Sequence, residues 1–147
     1  MIACLFSLFL MAGSLYAQSG QSETARKFDE FGGTGCEDMM ARLDNYAIAL
    51  QSEPSLTAYI IVYGGQAGQR GEAQMWAGRA RYYLVSNRRI DARKLRMSIG
   101  GYRDSWAMEL WLLRRGGPLP DAKPTVQFKD VKFKRGRIRK PQYRCEM

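Results

Sequence analysis

Residues 64–71, Gly-Gly-Gln-Ala-Gly-Gln-Arg-Gly, set four glycines between an apolar run and an amphipathic one. Glycine lets the backbone approach a ligand closely, and amides at the start of a helix receive anions. A phosphate site is therefore the first chemistry to weigh. The spacing matches neither Gly-x-Gly-x-x-Gly nor Gly-x4-Gly-Lys-Ser/Thr, so the stretch reads as a connector with Arg70 turned to water. Catalysis has less to draw on. There is no histidine, which removes the commonest general base and metal ligand, and no Gly-x-Ser-x-Gly elbow occurs. The acids Asp29, Glu30, Glu37, Asp38 and Asp44 fall where a first helical turn and an exposed helix face would take them. The chain reads as non-enzymatic, with no cofactor and no metal.

The formal charge of +9 is unevenly placed. From Arg114 onward, eleven Lys/Arg stand against Asp121, Asp130 and Glu146, and the part before it is near neutral. The candidate polyanion-binding residues are Lys129, Lys132, Lys134, Arg135, Arg137, Arg139 and Lys140. They would give a salt-sensitive, unspecific attraction to an anionic polymer or surface. Most of the aromatic residues read as packing, but Tyr102 and Trp106, beside glycines at a strand junction, are placed to line a groove for a sugar ring.

The first residues form an apolar block shorter than the ~20 needed to cross a bilayer, and Ala17 supplies a small residue for cleavage. Residues 1–17 therefore read as a secretory signal, although no Lys or Arg precedes the block; an N-terminal core helix is the other reading. Export places the chain in the periplasm or cell envelope, with no transmembrane helix in the mature form. It also makes a disulfide between Cys36 and Cys145 plausible in an oxidising compartment, against the alternative of two unpaired thiols. Such a bridge would stabilise by about 4–5 kcal/mol in the chain-entropy picture. Without histidine the two cysteines cannot form a Cys/His zinc site.

The elements that must position these groups follow from periodicity. Residues 26–31 suggest a short strand. Thr34 and Glu37 have capping-box spacing, and Met40, Leu43, Ala47 and Leu50 continue as a helical stripe stopped by Pro54. Residues 57–63 are apolar on both faces, as a covered central strand requires. Ala73, Trp76, Ala77, Ala80, Tyr83 and Leu84 make a second stripe over 72–88. Residues 95–99 alternate as a strand ended by Gly100-Gly101, and 107–113 form the last strand of the domain. The expected fold is an α+β two-layer sandwich, β-α-β-α-β-β, with two helices on one face of a small mixed sheet and an extended basic C-terminal arm. The other sheet face must be covered by the tail, a partner, or its own polar side chains.

Gly78-Arg-Ala80, Tyr83-Leu-Val85, Ile90-Asp-Ala-Arg-Lys-Leu95, Gly100-Gly-Tyr102 and Met108-Glu-Leu110 occur in an order that resembles the OmpA-like domain, a module that holds peptidoglycan. The resemblance covers roughly residues 26–113. With the signal peptide (1–17), a polar, flexible lead-in (18–25) and the basic arm (117–147) read from the residues, it assigns 26–116 as an OmpA-like domain. In that family a loop Asp and the Arg of an Arg-Ala pair clamp a stem-peptide residue. Arg79 stands at the Arg position, whereas the loop has Tyr63-Gly-Gly-Gln66 where the Asp belongs. The resemblance thus implies a ligand site of Arg79, Gly64, Gly65, Gln66, Arg70 and Tyr102, binding peptidoglycan or another anionic envelope polymer. An interaction module of an envelope assembly, its ligand site degenerate and its arm docked on a partner protein, is the alternative. Export argues against nucleic acid, the third reading of the basic and aromatic interleaving.

Overall fold

A computed structural model of the chain describes residues 24–138. The signal segment, most of the lead-in, Arg139, Lys140 and Cys145 lie outside the described residues. Four strands form the main sheet: β1 (Ala25–Gly32), β2 (Leu56–Gly65), β4 (Leu95–Arg103) and β5 (Ala107–Arg114), in the order β1-β5-β2-β4. β2 runs parallel to β4 and antiparallel to β5, which is antiparallel to β1. A two-residue strand, β3 (Gln69–Arg70), pairs with β6 (Lys134–Arg137) in a separate parallel ribbon. The fold is the α+β sandwich expected from the periodicities.

Side-chain alternation along β2 explains its central place. Ala58, Ile60 and Val62 share one core with α1 (Cys36–Ser52) and α2 (Glu72–Tyr82), so both helices lie on one face. Tyr59, Ile61 and Tyr63 point the other way and join Ala107 and Leu113 in a second cluster. Burial on both faces is why this strand has no charged position.

Several local expectations are corrected. The capping box does not form. Gly35 is the N-cap, Met39 N donates to its carbonyl at 3.2 Å, and Thr34 Oγ1 is buried without a hydrogen-bond partner among the described residues. Thr34 stands one residue too early, and Glu37 and Asp38 instead occupy the first turn, where the helix end favours negative charge. The buried stripe of α1 is also rotated toward Met39 and Tyr46, with Met40 only half-buried. Tyr46 earns its place by donating its hydroxyl to the Trp111 carbonyl at 2.5 Å, and burial raises its pKa. After Tyr82 the second helix widens into a π turn (Tyr83–Asn87) that buries Leu84.

Gly100 and Gly101 do not end β4, which continues to Arg103. A Cβ on Gly100 would lie 2.4 Å from Tyr63 Cε1, and Gly101 has φ +96°. The glycines let the strand pass the Tyr63 ring, at a bulge that shifts the register between Val62 and Gly64. The segment after β5 then crosses back over this end of the second face. Lys123 N donates to Tyr63 Oη at 3.0 Å, and Tyr102 O accepts from Thr125 and Val126 N. Among the described residues no helix is long and apolar enough to cross a membrane.

Candidate functional site

The glycine stretch is held, not loose. Gln66 N donates to Arg103 O at 2.7 Å, Lys132 N to Gln66 O at 2.8 Å, and Lys134 N to Gly68 O at 3.0 Å. The Gln66 side chain adds a bond from Nε2 to Asp130 O at 3.3 Å. These bonds lay the basic segment alongside the loop. Arg70, expected to point into water, is exposed but sits 4.3 Å from the Phe133 ring centroid. The loop amide best placed for an anion already has one: Gly65 N donates to Glu72 Oε2 at 2.8 Å. A Cβ on Gly68 would lie 2.0 Å from that same oxygen. The chain's own carboxylate thus occupies the position a phosphate would need.

Beside the loop, Tyr102, Phe128 and Phe133 form an aromatic trio with centroids 5.8 to 6.2 Å apart. Phe128 is 65% exposed, so an apolar ring faces solvent beside the loop. Lys129, Lys132, Lys134 and Arg135 are exposed on the same segment. Backbone pairing therefore brings the basic residues, the glycine loop and Tyr102 into one surface. Arg137 lies in β6, and Arg139 and Lys140 fall outside the described residues.

A groove of about 440 Å³ opens between the loop, the first turns of α2 and the turn before β5, walled by Trp106, Met75, Glu72, Asp104 and Lys134. Trp106 stacks on Trp76 with centroids 4.0 Å apart and planes 17° apart, and Phe31 meets it edge-on. Arg79 is not on the groove wall. Its guanidinium lies 4.7 Å from the Trp76 centroid, and burial lowers its pKa. The loop and Arg79 are linked through the indole stack and do not share a wall.

The residues missed by periodicity are Arg103 and Glu109. Glu109 is 1% exposed within β5, and its carboxylate accepts from Arg103 Nη2, from Tyr63 Oη at 3.3 Å and from Trp111 Nε1 at 2.9 Å. Arg103 also donates to Glu30 at 2.5 Å and to Lys123 O at 3.2 Å, with its guanidinium 3.7 Å from the Tyr63 centroid. Lys27 bonds Glu30 at 2.5 Å, and that bond holds the Glu30 carboxyl below its ordinary range. The network closes the second sheet face and ties the returning segment to it. One acid inside Ala-Met-Glu-Leu-Trp-Leu-Leu was the available signal, since a lone carboxylate in a covered strand requires a buried cation. Each of its oxygens is engaged, so it is a structural ion pair and not a free acid or base.

Cys36, at the first position of α1, is disulfide-bonded; Cys4 and Cys145 lie outside the described residues. Among the described residues no three His, Cys, Asp or Glu side chains gather as metal ligands. Comparison with protein-family models, curated proteins and solved structures returns no match.

Proposed function

We propose that the chain is an exported, non-enzymatic envelope protein, a divergent OmpA-like module that binds peptidoglycan or another anionic envelope polymer. The observation that carries this is the surface at the glycine loop. There Lys132 and Lys134 are held by backbone pairing, with Lys129 exposed on the same segment, beside an aromatic trio whose Phe128 ring is exposed. An aromatic face suits a sugar ring, and neighbouring ammonium groups suit its carboxylates. The element order, the strand order β1-β5-β2-β4 and the place of Arg79 on α2 support the OmpA-like kinship. The loop amide satisfied by Glu72 supports a surface site for a polymer in preference to an enclosed phosphate site.

Co-sedimentation with purified sacculi over a salt series tests the reading. Binding should weaken as salt rises, and should fall on Phe128→Ala and again on Lys129→Gln/Lys132→Gln. Retention untouched by all three changes would overturn it. An added loss on Arg79→Ala would extend the site to α2. The exposure of Phe128 also favours a second reading, a protein partner docked on the arm; loss of a co-purifying envelope protein on Phe128→Ala, with sacculus binding intact, would select it.

A further inference from the structure

At the end of the sheet opposite the glycine loop, β2 and β4 begin and β5 ends. Register sets Leu56 beside Arg114 and Tyr59 beside Arg96. The three chain segments enclose a cavity of about 480 Å³, within the usual range for small-ligand sites. Five cations line it, Arg93, Lys94, Arg96, Arg114 and Arg115, against one acid, Asp91.

That acid is spent on its neighbour. Arg93 takes Asp91 through both Nη2 at 2.8 Å and Nε at 3.1 Å, and Lys94 Nζ donates to the Pro54 carbonyl at 2.7 Å. Arg96, Arg114 and Arg115 have no ion pair among the described residues. Holding like charges around one cavity opposes folding, and an anion placed among them reverses the sign of that term. The arginines are also set on fixed backbone. Arg96 and Arg114 lie in paired strands, and the turn after Arg114 is closed by Gly117 N donating to its carbonyl at 3.0 Å, with Gly116 at φ +81°.

We infer that this cavity is an anion site for a compact ligand carrying two or more adjacent phosphoryl groups. Planar guanidinium forks bind phosphoryl oxygens in pairs, and Ser55 adds an exposed hydroxyl on the cavity wall. The same chemistry is offered by a lipid headgroup at a membrane surface and by a soluble diphosphate. The site is separate from the polymer surface proposed above, which lies at the other end of the sheet.

The test uses the full chain, titrated with inorganic pyrophosphate by calorimetry and sedimented with phosphatidylcholine vesicles with or without cardiolipin. Arg96→Gln/Arg114→Gln/Arg115→Gln should weaken binding by about tenfold or more, as expected when charge-assisted hydrogen bonds are lost. Lys129→Gln/Lys132→Gln/Lys134→Gln removes equal charge and should change it less than about twofold while lowering sacculus binding. Replacing the same three arginines by lysine keeps the charge and loses the forks, and should give an intermediate loss. Pyrophosphate binding without cardiolipin binding supports the site with a soluble ligand; cardiolipin binding alone, lost in the arginine variant, supports it with a lipid. Equal losses in the two glutamine triples, or no saturable binding of either probe, overturns the inference.

Discussion

Glu109→Gln keeps the length and shape of the side chain and removes its charge. The carboxylate is 1% exposed, meets three hydrogen-bond donors, from Arg103, Tyr63 and Trp111, and has Lys27 Nζ 3.5 Å away as a second cation. Glutamine has one oxygen, so its amide nitrogen must face a donor: Trp111 Nε1 in one orientation, Arg103 and Tyr63 in the other. The lost charge-assisted bond costs about 1.5–3 kcal/mol and the opposed buried donors about 1–3 kcal/mol more. Arg103 keeps Glu30, which softens the loss. A total of about 3–4 kcal/mol follows, in line with breaking one side of a buried ion pair. For a chain of this size that lowers the melting temperature by about 10 °C. Thermal unfolding followed by near-ultraviolet circular dichroism, with urea midpoints alongside, reads the change. Glu109→Leu/Arg103→Met, which removes both charges, should cost less than the sum of its single variants by about 2 kcal/mol. A glutamine variant within about 0.5 kcal/mol of the parent, or strict additivity in the cycle, would refute the network's role.

Gly100→Ala should destabilise by about 1–3 kcal/mol, since its Cβ would meet Tyr63 and Ile61, both fully buried and without room to move; urea unfolding that gives no change would place the ring elsewhere. Acid titration should show stability falling below about pH 4.5. Glu30 has a folded pKa lowered from 4.5, chiefly by its hydrogen bond with Lys27, so its contribution is complete above that value and fades as pH drops through the folded pKa. Glu30→Gln should flatten this acid limb of the melting-temperature profile, and an unchanged slope would contradict the assignment. Cys36 should resist alkylation in the denatured, unreduced protein and react after reduction, as peptide mapping by mass spectrometry would show; reaction without reductant would contradict the bridge.

How far the fold was legible depends on where information is local. The two-sided apolar run at 57–63 identified the central strand, because only a covered strand uses Ile-Ile-Val with tyrosines on both sides. The stripe through Ala73, Trp76, Ala80 and Leu84 likewise fixed the buried side of α2 and of the π turn that continues it. Gly100 and Gly101 misled because a glycine pair ends a strand or eases a bulge with equal sense, and the choice rests on Tyr63, a distant neighbour in sequence. The N-cap slipped by one residue because Gly35 serves as well as Thr34. Arg103 and Glu109 stayed hidden because their pairing is made by the bulged end of β4 folding across Tyr63. In the proposed site, the glycine loop and lysines were visible by composition. Their union with each other and with Tyr102 required the backbone bonds of Gln66, Gly68 and Tyr102, which no spacing rule supplies.

The most direct test of the proposed polymer surface is a nitrogen–proton correlation spectrum of the full chain titrated with soluble peptidoglycan fragments. The account predicts saturable shifts of the amides of Gln66, Gly68, Tyr102, Phe128, Lys132 and Lys134, while those of Ser55, Arg96 and Arg114 stay in place. Shifts confined to the opposite end of the sheet, or none at saturating fragment, would contradict it.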